Sequence, residues 1–96
     1  MTFHELEQAR ELFGLTERAT RGVVTDRFRR LVKESHPDLH EGREDDRIRA
    51  ITAAYALLRE YCDTYVFSFT FDEFLNQNPD ERLRLQFSND PLWGGR

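Results

Sequence analysis

His36, Pro37 and Asp38 place a titratable imidazole and a carboxylate on either side of a rigid proline. Such a pair can serve in general acid–base catalysis, but the reaction also needs a nucleophile or a second carboxylate held at a pocket. A polar stretch between two predicted helices of a small domain offers no obvious pocket. We therefore expect no catalytic residue and no enzymatic activity. Taken alone, the tripeptide is a tight turn in which Asp38 accepts hydrogen bonds from nearby backbone N–H groups.

Metal binding is the second chemistry that the residue types allow, through His4, His36, His40 and Cys62. His36 and His40 are four residues apart, but Pro37 lies between them, so they cannot share the face of a regular helix. Structural zinc requires four closed ligands, and the spacing provides no such set. We expect no metal and no cofactor, and we interpret Cys62 as a small buried apolar side chain.

The residues before the tripeptide predict an amphipathic helix with one basic face. It runs from about Arg21 to Ser35, with Thr20 as its N-cap. One face carries Val24, Phe28, Leu31 and Ser35, and the opposite face carries Asp26, Arg29, Arg30 and Lys33. From Arg21 to Lys33 there are five basic residues and one acidic residue, which gives +4 in a chain of net charge −4. The five are Arg21, Arg27, Arg29, Arg30 and Lys33.

Two further long helices are predicted on either side of the basic helix. The first runs from about Phe3 to Phe13, where Thr2 and Glu5 have the spacing of a capping box. The other runs from about Glu44 to Tyr61. Its apolar residues recur at helical spacing and predict a buried stripe, formed by Ile48, Ile51, Tyr55, Leu58 and Cys62.

The last third of the chain differs in pattern. Residues 66–71 alternate apolar and polar side chains, which indicates an extended segment. Thr70 and Glu73 predict a short helix, and Asn78 followed by Pro79 predicts another that runs to about Phe87. Together the patterns predict an all-α fold, with three main helices and a C-terminal extension of one or two short ones.

The amino-acid composition limits the classes of protein to which the chain can belong. The chain has 96 residues, of which 39% are hydrophobic and 33% charged, as in a water-soluble helical domain. No apolar run approaches the length of a membrane span, and the first ten residues do not have the pattern of a secretory signal. With a single cysteine no internal disulfide forms, so we expect a cytoplasmic protein. The net charge of −4 argues against a general nucleic-acid or membrane binder, although the basic helix keeps nucleic acid as a third alternative.

The basic helix, the tripeptide and the helix after it together resemble the J-domain family of co-chaperones. The matching stretches are Asp26-Arg27-Phe28-Arg29-Arg30-Leu31, then His36-Pro37-Asp38, then Ala54-Tyr55-Ala56-Leu57-Leu58. Upstream, Glu11-Leu12-Phe13-Gly14-Leu15 is similar to the end of the family's first helix. The resemblance covers the chain from about Glu5 to Glu60. A tripeptide alone would be a weak signal, but its position between these two helices is specific.

The resemblance implies a fold and a function. In the family, the second and third helices form an antiparallel hairpin with the tripeptide at its tip. The tripeptide and the basic helix bind a DnaK-type ATPase chaperone and stimulate its ATP hydrolysis. Carried over to this chain, residues 1–64 would be the J-domain and residues 65–96 an extension packing on it. The partner-binding residues would be His36, Pro37, Asp38, Arg29, Arg30, Lys33 and Arg27.

Three features depart from the family pattern and support an alternative function. Thr25 stands where the family often has a base, Asp26 adds a negative charge to the basic face, and Leu39 follows the tripeptide where many members have a base. The alternative is a J-like adaptor that binds proteins without stimulating the chaperone ATPase. No Gly/Phe-rich, zinc or client-binding module is recognisable, so we expect a minimal J protein.

The aromatic residues of the tail have two interpretations. They are Phe67, Phe69, Phe71, Phe74, Phe87 and Trp93. In the favoured one they fold back and complete the core, because so many exposed aromatic side chains would promote aggregation of a monomer. In the other they form an exposed patch for a client or a second protein. We expect a monomer that binds neither nucleic acid nor a membrane.

Overall fold

The computed structural model describes residues 1–35 and 44–88, and across these residues the regular secondary structure is entirely helical. The five helices are α1 (Phe3–Leu12), α2 (Arg21–Glu34), α3 (Glu44–Asp63), α4 (Phe71–Gln77) and α5 (Pro79–Ser88). The predicted all-α class and the predicted C-terminal helices are confirmed. No helix in the described part of the chain is both long enough and apolar enough to span a membrane.

Local capping residues explain where α1 begins and ends. The Thr2 hydroxyl accepts from the Glu5 N–H at 3.1 Å, and the Glu5 carboxylate accepts from the Thr2 N–H at 2.8 Å, which completes the predicted capping box. The hydrogen bond from the Thr2 backbone lowers the pKa of Glu5. After α1 the chain turns at Gly14, whose φ of +64° is in the left-handed region that suits glycine.

Helices α2 and α3 form an antiparallel hairpin. Arg21 at the start of α2 forms an ion pair with Asp63 at the end of α3. Midway, the rings of Phe28 and Tyr55 stack with their centroids 3.9 Å apart. At the other end, the Arg47 Nε donates to the Ser35 hydroxyl at 2.6 Å. The start of α2 therefore lies beside the end of α3, and the end of α2 beside the start of α3. This antiparallel arrangement confirms the predicted helical hairpin.

The core lies where α1, α2 and α3 meet. Its buried apolar residues are Ala9, Phe13, Leu15, Val24, Ile51, Ala54 and Leu58. Ile51 has no exposed surface, and Phe13 is almost fully buried. Leu31 and Tyr55 are partly buried against this cluster. The apolar faces predicted for α2 and α3 are thus the faces that pack, because helical periodicity places those side chains on one side.

The chain divides into two compact units after Tyr65. In the second unit α4 packs against α5, and Leu75 is its buried apolar residue among those described. Thr70 caps α4 by accepting from the Glu73 N–H at 3.2 Å. Thr70 and Glu73 have the spacing of a capping box, but only half of it forms, because the Glu73 carboxylate instead accepts from the Gln77 side-chain amide at 3.0 Å. The packing of the extension on the first unit stays a prediction.

Candidate partner-binding surface

The segment that carries His36, Pro37 and Asp38 lies outside the described residues, but both of its ends are described. Ser35, at the end of α2, is completely buried. Its N–H donates to the Leu31 carbonyl at 3.1 Å, and its hydroxyl accepts from Arg47 near the start of α3. This side-chain bond joins the end of one helix to the beginning of the next. The two helices are therefore joined by a side-chain bond between the last residue before the connection and the first turn of α3.

Three of the predicted partner-binding side chains lie exposed on α2: Arg29, Arg30 and Lys33. Arg29 is 3.9 Å from the Asp26 carboxylate, with about three quarters of each side chain exposed (76% and 75%), so that this pair is weak. Arg30 and Lys33 form no ion pair with any described residue. Their charges are available to an approaching partner.

Stacking within the hairpin determines which face of α2 points outward. Phe28 lies flat on the Tyr55 ring, and the Thr25 and Tyr55 hydroxyls are 3.5 Å apart. The Arg59 guanidinium covers Tyr55 at 5.6 Å from the ring centroid. These contacts hold one side of α2 against α3. Because successive residues of a helix are about 100° apart, Arg30 lies nearly opposite Phe28, and both Arg29 and Arg30 are exposed.

Arg27 lies differently from the other predicted partner-binding residues. It is half-buried, and its Nη1 donates to the carbonyls of Phe13 and Gly14 at 3.0 and 2.8 Å. A cation at this position complements the carbonyls that the end of a helix leaves without intrahelical partners. The structure thus gives Arg27 a link between α2 and α1 that we had not predicted. The sequence does hold the signal, because Arg27 is three residues after Val24 and four before Leu31, within the apolar stripe.

We expect that Arg27→Met lowers the free energy of unfolding by about 1–2 kcal/mol, because two hydrogen bonds to a charged donor are lost while the aliphatic part is kept. Urea unfolding followed by circular dichroism measures the change. Arg30→Met is the matched control, and we expect its effect to stay within about 0.5 kcal/mol because that side chain is exposed. Equal stabilities of the two variants would contradict the structural role of Arg27.

Arg21 also takes part in the fold rather than in the exposed basic face. Its hydrogen bond with Asp63 lowers the pKa of Asp63 and raises that of Arg21. The pKa of Asp63 is lower in the folded protein than in the unfolded chain. The pair therefore stabilises the fold fully above the unfolded-state pKa of Asp63, and this stabilisation is lost as the pH falls through the folded-state pKa. The candidate surface on α2 consequently comprises Arg29, Arg30 and Lys33, which we call the basic face and which precede the tripeptide in the sequence.

The described residues contain no group of three or more His, Cys, Asp or Glu side chains placed to hold a metal ion. Cys62 is partly buried in the last turn of α3.

Comparisons of the chain with models of known protein families, with curated proteins and with solved structures found no match.

Proposed function

We propose that this chain is a J-domain-type co-chaperone, which binds a DnaK-type ATPase chaperone and stimulates its ATP hydrolysis through His36-Pro37-Asp38 and the basic face. The observation that supports this most is the antiparallel hairpin of α2 and α3. Its basic face carries two cations without ion-pair partners among the described residues, and its Ser35–Arg47 bond joins the two helices on either side of the connection that includes the tripeptide.

The charge pattern favours a transient complex with an acidic surface. Arg30 and Lys33 are close in sequence to His36, so that one partner can contact the basic face and the tripeptide together. Complementary charge raises the association rate and fixes the orientation of a complex more than it deepens affinity. We therefore expect weak binding that becomes weaker as the salt concentration rises.

The mechanism of stimulation is allosteric. The chain supplies no group to the hydrolysis reaction; it acts by binding the hydrolysis-competent state of the ATPase better than the other states. A ligand shifts a conformational equilibrium only by its difference in affinity between the states. The tripeptide and the basic face are the groups that would make those state-dependent contacts.

The test is the steady-state ATPase rate of a DnaK-type chaperone, with and without this protein, over a range of its concentrations. We expect the rate to rise and then saturate. A folded wild-type protein that stimulates none of several DnaK-type chaperones would overturn the proposal.

We expect that Arg30→Glu weakens stimulation at subsaturating protein by about tenfold, equivalent to about 1.4 kcal/mol of coupling. Charge reversal at the basic face replaces attraction by repulsion at one contact. Arg18→Glu is the matched control, because Arg18 is exposed in the connection between α1 and α2 and the net charge changes equally. The loss should shrink at high salt. If both variants lost activity equally, overall charge rather than the basic face would carry the effect.

An adaptor that binds proteins without stimulating the ATPase is the second candidate. The observation that favours it is the exposure of apolar side chains after α3, where Phe69 is 95% and Val66 is 89% exposed. The half-buried Thr25, beside the Tyr55 hydroxyl, adds no positive charge to α2. The ATPase measurement separates the two candidates directly.

A further inference from the structure

The chain between α3 and α4 is non-helical, and its sequence has the character of a β-strand. Residues 65–69, which we call the linking segment, read Tyr-Val-Phe-Ser-Phe. β-Branched and aromatic residues favour strands, and here aromatic side chains alternate with smaller ones. From Thr64 to Phe71 there is no charge, glycine or proline. The segment therefore has strand-forming residues and none of the features that prevent strands from pairing.

Two residues of the linking segment have backbone groups without a hydrogen-bond partner among the described residues. The N–H and C=O groups of Val66 and Ser68 form no hydrogen bond with any described residue. Ser68 has only side-chain contacts, its hydroxyl lying 3.0 Å from that of Thr70 and accepting from the Thr70 N–H at 3.4 Å. In an extended chain, residues i and i+2 direct their backbone groups to the same side. When the linking segment is extended, Val66 and Ser68 therefore present one hydrogen-bonding edge.

We propose that the linking segment takes up an extended conformation and pairs with the linking segment of a second copy of this chain, forming a two-stranded antiparallel ribbon. The hydrogen-bonding edge fixes the register. Val66 of one copy pairs with Ser68 of the other, and each such pair exchanges two N–H to C=O hydrogen bonds. The two-fold axis of the dimer then passes beside Phe67.

In this register, the aromatic side chains of the two copies lie opposite each other. Phe67 lies opposite Phe67 of the other copy, in a non-hydrogen-bonded pair where side chains approach most closely. Phe69 lies opposite Tyr65 of the other copy. Aromatic residues thus meet aromatic residues at each position, and no like charges oppose each other. Because the same register pairs the backbone edge and matches the aromatic side chains, the segment is complementary to itself.

The area available suits a weak dimer. A buried aromatic side chain covers about 150–250 Å², so three per copy cover several hundred Å², below the roughly 800 Å² per partner of a stable interface. A two-stranded ribbon alone is also marginally stable in water. We therefore expect association that depends on protein concentration, in place of the strict monomer expected from the sequence. The proposal is independent of the proposed chaperone function.

The test is sedimentation equilibrium of the full chain from micromolar to millimolar concentrations. We expect wild type to shift from monomer to dimer, and Val66→Pro to raise the dissociation constant by about tenfold or more, because proline has no N–H to donate. The Val66 side chain is 89% exposed, so this change removes no packing from the monomer. Val66→Thr keeps the N–H and the β-branched shape, and we expect it to dimerise like wild type.

Amide hydrogen exchange distinguishes strand pairing from non-specific contact between aromatic side chains. We expect the amides of Val66 and Ser68, but not that of Phe69, to become protected as concentration rises, since only one edge is paired. Phe69→Glu, at a side chain that is 95% exposed, should also weaken the dimer, while Phe69→Leu should weaken it less. A monomer at all concentrations, or equal dimerisation of Val66→Pro and Val66→Thr, would overturn the proposal whatever the ATPase assay gives.

Discussion

His36→Gln is expected to reduce the stimulated ATPase rate to that of the DnaK-type chaperone alone. Glutamine has a similar size and keeps a hydrogen-bonding side chain, but it lacks the imidazole that His36 contributes to the proposed contact with the ATPase. Stimulation requires contacts that differ between the states of the ATPase, so the loss of such a contact removes the effect even where some binding remains. The measurement is the rate at saturating co-chaperone, where weakened binding alone would be overcome.

The fold should survive the His36→Gln change. The core of the first unit is formed by residues of α1, α2 and α3 together with Phe13 and Leu15, none of which lies between Ser35 and Glu44. We expect a change in unfolding free energy within about 0.5 kcal/mol, checked by circular dichroism and urea unfolding. His40→Gln is the matched control, because it makes the same chemical change four residues later in the same connection, and it should keep most of the stimulation. Normal stimulation by folded His36→Gln would count against a signalling role for the tripeptide.

The helices could be predicted because the signals that define them are local. Thr2, Thr20 and Thr70 each cap the helix that follows, as their spacing indicated. The apolar residues of α2 and α3 recur with helical periodicity, and burial of that face selects the pairing of the two helices. The observed ends differ from the predicted ones by one or two residues, because the last turn of a helix is set by few hydrogen bonds.

The position of Arg27 in the apolar stripe signals that its side chain packs, but the partners of the links between helices could not be read from local patterns. Arg27 reaches two carbonyls at the end of α1, and Arg47 reaches Ser35 across the hairpin. Both contacts depend on the distance between helices, which periodicity does not specify. The basic face was predictable because exposed residues of α2 need only lie opposite its apolar stripe. The predicted roles of His36, Pro37 and Asp38 stay predictions, since these residues are outside the described part of the chain.

Ile51→Ala is expected to cost about 2–5 kcal/mol of unfolding free energy. Ile51 is fully buried in the cluster formed by α1, α2 and α3, and truncation would leave a cavity that the surrounding helices fill only in part. A domain of this size has a stability of about 5–15 kcal/mol, so the loss is a large share of the total. Urea unfolding measures it as a lower midpoint with an unchanged slope. Thr52→Ala, at the exposed neighbouring position, should change the stability by no more than about 0.5 kcal/mol.

The effect of Ile51→Ala on stimulation distinguishes a residue that supports the surface from one that contacts the partner. Ile51 has no exposed atoms, so the folded fraction of the variant should present the same basic face and the same connection as wild type. Stimulation should therefore fall only in proportion to the unfolded fraction and should be recovered by cooling or by adding protein. His36→Gln, in contrast, should remain inactive when it is fully folded and saturating. A folded Ile51→Ala protein that failed to stimulate would contradict this expectation. It would show that the connection between α2 and α3 depends on the packing of the core as well as on the hydrogen bond between Ser35 and Arg47.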